Sequence, residues 1–120
     1  MPAIMTHFAF AKMRAEENVD NDVFYLGAQG PDVFFFYGYS LKKREHIKDI
    51  RGFGTHLHHI DISKAYFYLL SYANEKSGRE KEILNRFIRG LFVHYIMDRN
   101  CHPFVFYRTG FASEEKDKNY

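Results

Sequence analysis

His94, Asp98 and His102 recur every four residues, so on a helix they share one face, each step rotated by about 40°. Two imidazoles flanking a carboxylate at fixed separation suit a borderline divalent cation such as Zn²⁺. A carboxylate so placed can also bridge two ions, as paired-metal hydrolytic sites require. Gly90 stands one turn earlier on the same face, where its missing side chain leaves room for a bulky neighbour. The competing reading is a row of i,i+4 His–Asp contacts on a solvated face. Leu91, Phe92, Val93, Tyr95 and Ile96 surround the first members, however, and argue for burial. Buried imidazoles and carboxylates must be paired or bind metal. Spacing alone leaves a metal site and a hydrogen-bonded polar network equally open.

Seven histidines in 120 residues is the composition's one oddity. His56, His58 and His59 stand at the start of a long apolar-patterned segment, and His58 points away from the other two, toward the face of Ile62, Ala65 and Leu69. One of the three is expected to face the core and the others solvent. Taken singly, His7 reads as a satisfied core histidine, Asp32 after Gly30-Pro31 as a turn aspartate, and His46 behind Lys42-Lys43-Arg44 as a surface residue. Cys101 reads as a small buried packing residue. Phe34, Phe35, Phe36 and Tyr37 read as core more readily than as the lining of a lipid or nucleobase pocket.

The elements that must position these residues read as helical. Thr6 to Glu17 carries Phe8, Ala11 and Ala15 at helical spacing, with Thr6 available as an N-cap. A short helix over Asp20 to Ala28 is broken by Gly30-Pro31-Asp32. The apolar run Val33 to Tyr37 fits a buried strand or part of a helix, because its period does not discriminate. A long helix is expected from Thr55 to Lys76, closed by Ser77-Gly78, and another from Arg79 to Asn100, stopped by Pro103. The fold class is all-α: an antiparallel bundle of four or five helices in one domain over 1–112, with 113–120 a polar tail or interrupted segment.

The bulk numbers exclude several classes. Thirteen Phe and nine Tyr demand packing, which argues against wholesale disorder. With 17 basic and 15 acidic residues mixed along the chain, no nucleic-acid-binding patch is expected. The single cysteine excludes a disulfide framework and fits a reducing compartment. No apolar run is long enough to span a bilayer and no leader is visible, so the chain reads as soluble and cytoplasmic.

Four stretches in one order carry a resemblance: Met5-Thr6-His7-Phe8, then Phe24-Tyr25-Leu26-Gly27-Ala28-Gln29-Gly30-Pro31-Asp32, then Gly54-Thr55-His56-Leu57-His58. The last is Gly90-Leu91-Phe92-Val93-His94-Tyr95-Ile96-Met97-Asp98, followed by Cys101-His102-Pro103-Phe104. Together, over nearly residues 1 to 107, they resemble the zinc-dependent phospholipase C family, in its bacterial branch of clostridial and bacillar type. The resemblance implies the phospholipase C and P1-nuclease type of helical fold, a zinc cluster in a cleft, and hydrolysis of phosphodiester bonds in phospholipids. It further implies metal-ligand roles for His7, Asp32, His94 and Asp98, with Asp98 bridging. Asp32 would also orient or deprotonate the attacking water. His58 is the favoured middle histidine, with His56 the alternative. His102 resembles a third-ion ligand, at a spacing from Asp98 shorter than in the secreted enzymes.

Two departures limit that transfer. The family's later helix, which supplies a histidine and a glutamate spaced H-x-x-x-E, has no counterpart before Tyr120, and Met1 lies only six residues before His7. The expectation is therefore two or three zinc ions with one site incomplete, and a chain that is a fragment or a shortened relative. The C-terminal helices of the family would be missing, and the apolar surface they cover makes a homodimer plausible. The alternative function is a non-catalytic metal-binding helical module.

Overall fold

The computed structural model describes residues 4–17, 19–37 and 45–109; the polar segment 113–120 and the basic run Lys42-Lys43-Arg44 lie outside the described residues. Among the described residues every regular element is helical. They are α1 (Ile4–Lys12), α2 (Asp22–Gln29), a 3₁₀ helix (Gly30–Phe36), α3 (Ile47–His59), α4 (Ile62–Asn74) and α5 (Gly78–Thr109). No helix among them is long and apolar enough to cross a membrane.

The spine is α5, 32 residues or roughly 48 Å of helix. α2 packs along it most extensively, α1 lies on both, and α3 rests on the 3₁₀ segment. The α2–α5 crossing is close because each helix presents a glycine. A Cβ on Gly27 would overlap the Phe87 carbonyl, and one on Gly90 would overlap the Phe24 carbonyl. The bulky neighbour for which Gly90 makes room is therefore the backbone of α2.

Four boundaries differ from those the pattern predicts, the first being that α3 starts at Ile47 and not at Thr55, so that His56, His58 and His59 close a helix instead of opening one. α1 ends at Lys12, before Glu17. The segment 55–76 is two helices, not one, because Ile60 is extended and Asp61 caps α4 by accepting from the Ser63 amide at 3.0 Å. Pro103 does not stop α5. It removes one backbone donor, yet the residues on either side stay helical through Thr109. The ambiguous run Val33 to Phe36 belongs to the 3₁₀ helix, entered through Gly30 at φ 54°.

The apolar core is small: Ala11, Phe24, Ala28, Ala73, Ile88 and Met97 are its buried members. Beside them His7, Asp32, His94 and Asp98 are equally buried, and His7, at 1% exposure, is the largest fully enclosed side chain. A fold this size that places imidazoles and carboxylates at its centre must satisfy them there, since burying such groups unpaired costs several kcal/mol each.

Candidate metal centre

Four elements bring six side chains to one point. α1 delivers His7, the 3₁₀ helix Asp32, α3 His58, and α5 supplies His94, Asp98 and His102 from successive turns. His56, the alternative to His58, is exposed, as is His59. Because α3 ends at His59, the face of Ile62, Ala65 and Leu69 does not continue beneath His58, and its ring turns to Asp32 instead.

The two carboxylates divide their oxygens between two pairs of imidazoles. Asp98 Oδ1 lies 3.2 Å from His7 Nε2 and 3.5 Å from His102 Nε2. Its Oδ2 lies 3.1 Å from His94 Nε2 and 4.0 Å from His58 Nε2. Asp32 repeats the division, with Oδ1 at 2.9 Å from His58 Nε2 and Oδ2 at 3.4 Å from His7 Nε2. The His7 and His94 rings stack at 4.2 Å.

Tautomers follow from the backbone. His94 Nδ1 faces the Ala28 carbonyl at 3.0 Å, and His58 Nδ1 faces the Gly54 carbonyl at 2.7 Å. A carbonyl oxygen only accepts, so each Nδ1 carries the proton and donates it. In the neutral ring Nε2 is then a lone pair aimed at a carboxylate oxygen about 3 Å away. Two lone pairs in that relation repel, so either a second proton or a cation must lie between them. This is also the arrangement by which a backbone carbonyl fixes a metal-ligating imidazole.

Burial works against a second proton, and the carboxylates work for it. For His7 desolvation disfavours the imidazolium, but Asp32 and Asp98 outweigh it and raise the pKa to about 9. His58 is likewise opposed by burial yet raised, mainly by Asp32. Burial pushes both aspartates up, and the imidazoles reverse this: His58 and His7 hold Asp32 down at about 2, and His7 and His94 hold Asp98 below the usual carboxylate range. For His102 burial dominates and its pKa falls.

Even so, protons alone do not complete the cluster. Both ring nitrogens of His7, Nε2 of His94 and Oδ1 of Asp98 are buried without an aligned hydrogen bond, although carboxylate and imidazole approach to 3.1–3.4 Å. Donors crowded at that distance without hydrogen-bond alignment are satisfied together by a shared cation. Two overlapping groups have their donor atoms within 4.8 Å of one another: His7, Asp32 and His94, and His58, His94 and Asp98. The five residues of these two groups could therefore hold a divalent metal, and His102 stands beside them 3.5 Å from Asp98 Oδ1. The cluster is closed on the His7, Asp32 and His94 side and opens toward His102 and His58, whose side chains are 27% and 16% exposed.

Several contributors have no signature in the sequence. The Ala28 and Gly54 carbonyls that set the tautomers are backbone atoms, which any residue offers. Gly30 matters through contact: a Cβ there would come 2.6 Å from the His94 ring. Phe35 packs 5.1 Å from the His58 ring and walls the cluster on that side. No family model, curated protein or solved structure matches the chain.

Proposed function

We propose that the cluster holds two divalent ions, zinc by its donor chemistry, and that the chain is a phosphodiester hydrolase of the phospholipase C type. The carrying observation is the division of Asp98 and Asp32, each with one oxygen toward His7 and the other toward the His58 side. If two ions were held, His7 and His102 would offer nitrogens to one and His58 and His94 to the other, and Asp32 and Asp98 would offer an oxygen toward each side. His94 has a single inward nitrogen, so it would serve one ion only; its 3.1 Å approach to Asp98 Oδ2 favours the pair with His58, while the same nitrogen also groups with His7 and Asp32. When bound, such ions acidify a coordinated water and neutralise charge on phosphate oxygens.

The protein's own residues would do the rest. The Ala28 and Gly54 carbonyls hold His94 and His58 with their lone pairs inward. Asp32, kept ionised with a pKa of about 2, is a weak proton acceptor near neutrality, which supports an orienting role over a general-base role. Substrate would approach from the His102 edge, which is the more exposed side of the cluster among the described residues, at 27% against 16% for His58.

A second reading, a metal-holding helical module without turnover, draws on the enclosure of His7, Asp32 and His94, because structural sites are closed. The deciding experiment is elemental analysis of the purified, dialysed protein. Hydrolysis of p-nitrophenylphosphorylcholine and bis(p-nitrophenyl) phosphate is then followed for wild type and Asp32→Asn. Bound zinc with turnover lost in Asp32→Asn sustains the hydrolase; bound zinc with no turnover leaves the module; absence of metal overturns both.

Two further outcomes are expected. His58→Ala should weaken zinc binding at least about tenfold, while His56→Ala, exposed beside it, leaves a zinc titration unchanged. Equal effects of the two substitutions would remove His58 from the ligand set.

The second concerns pH. The folded pKa of His7 is raised from 6.5 to about 9, so its contribution to the metal-free fold is complete below pH 6.5 and is lost as pH rises through 9. The folded pKa of Asp32 is lowered from 3.8 to about 2, so its contribution is present above pH 3.8 and is lost as pH falls through 2. Melting of the metal-free protein should therefore peak between those limits. Zinc competes with the His7 proton, so zinc affinity should climb toward pH 9. A zinc affinity flat from pH 6 to pH 9 would contradict this picture.

A further inference from the structure

On the far side of α5 lies a second concavity, unrelated to the metal cluster. α4 touches the rest of the fold chiefly through α5, and it stands away from α1 and α2. Between them runs a groove of about 660 Å³ whose floor is α5, within the range of about 300–1,000 Å³ usual for small-molecule sites. Phe92 and Ile96 line it from α5, two residues to either side of His94 and so about 200° round the helix from the cluster. Tyr66 and Leu70 form the α4 wall, and Phe10 the α1 wall.

The groove is apolar to an unusual degree for exposed surface. Phe92 is 50% exposed and Leu70 41%, so large hydrophobic side chains meet water along it. Its one aromatic hydroxyl is already engaged, since Tyr66 donates to the Ile88 carbonyl at 3.2 Å. The remaining polar groups are two guanidiniums at one end. Arg89 is paired with Glu16. Arg14 forms no ion pair among the described residues, and its guanidinium lies 5.5 Å over the Phe10 ring at the groove's edge.

We infer that this groove binds a long-chain carboxylate, the hydrocarbon lying along Phe92, Leu70 and Ile96 and the carboxylate meeting Arg14. An apolar trough with a single unmatched cation at one end complements an aliphatic chain with one terminal anion. A neutral chain leaves Arg14 unused, and a short carboxylate leaves the trough wet. Recognition of a carboxylate by guanidinium is bidentate and charge-assisted, and it supplies orientation as well as affinity.

The test is calorimetric titration of the protein as purified, with palmitate below its micellar concentration, hexadecanol and acetate as probes. Metal content is measured on the same sample, so that this inference and the metal reading fail separately. Saturable palmitate binding is expected, with hexadecanol and acetate each markedly weaker. Arg14→Gln, on an exposed residue, should weaken palmitate about tenfold and leave hexadecanol unchanged. Leu70→Trp, which fills the trough, should weaken both. No palmitate binding overturns the inference, and so does palmitate binding that Arg14→Gln does not alter. A concentration-dependent dimer that Leu70→Trp dissociates, with no palmitate taken up, would assign the groove to a second copy of the chain instead.

Discussion

Asp98→Asn is expected to abolish zinc binding in any practical titration and to destabilise the metal-free protein as well. Among the described residues Asp98 is the one carboxylate within 4.0 Å of all four clustered imidazoles, those of His7, His58, His94 and His102. An amide keeps one acceptor oxygen and turns the other position into a donor, so it could not offer an oxygen to each of the two proposed ions. Substitutions outside the ligand shell commonly cost about 10–100-fold in metal affinity, and loss of a residue proposed to ligate should exceed that. In the metal-free state the same change leaves buried imidazoles facing an amide that cannot balance their charge. Removing one partner of a buried ion pair costs roughly 3–5 kcal/mol, and Asp98 at 8% exposure belongs in that regime. Zinc titration and denaturant unfolding with chelator, on the same variant, read the two effects. A variant that melts like wild type and holds zinc equally would mean that Asp98 is incidental to the cluster.

Gly90→Ala is expected to cost about 3 kcal/mol, the upper end for overpacking. Its Cβ would overlap the Phe24 carbonyl and lie 2.8 Å from the Ala28 amide nitrogen and 3.0 Å from the Gly27 carbonyl carbon. All three are backbone atoms of α2, so no rotamer change relieves the clash and α2 must move bodily off α5. That displacement also carries away the Ala28 carbonyl that holds His94, and with it the entry to Asp32. Zinc affinity and stability should therefore fall together. Gly52→Ala is the control, because nothing lies within 4 Å of a Cβ there and the residue is inside α3. Alanine in place of a helical glycine normally gains roughly 0.5–1 kcal/mol, so this variant should be as stable as wild type or more so. Opposite signs for two Gly→Ala changes in helices of one protein are a strong requirement. A Gly90→Ala variant that gains stability as Gly52→Ala does would show that the helices are not in backbone contact.

The apolar groove and the His/Asp cluster occupy opposite faces of α5, so one helix would serve the two proposed binding functions through two residue registers. His94 and Asp98 define one register, and Phe92 and Ile96 the other. Substitutions in one register should leave the other's ligand affinity intact so long as α5 itself stays in place.

By itself the sequence determined that the chain is helical and that His94, Asp98 and His102 share a face, because a periodicity of 3.6 residues is a local property of the chain. The break at Asp61 was also written locally, as an aspartate two residues ahead of Ser63, but the apolar spacing across it masked the cap. What only the tertiary structure decided is which residues meet. His7 and Asp32 are 25 positions apart and each is unremarkable alone, yet both face Asp98 or His58 once α1 and the 3₁₀ helix pack on α5. The resemblance favoured His58 over His56, but the contact itself depends on where α3 ends and how it leans on the 3₁₀ segment, neither of which a helical wheel contains. The tautomers of His58 and His94 were set by carbonyl oxygens of Gly54 and Ala28, groups common to every residue and therefore invisible to any reading of side-chain types. Local periodicity places a side chain on a face; only long-range packing gives that face something to meet.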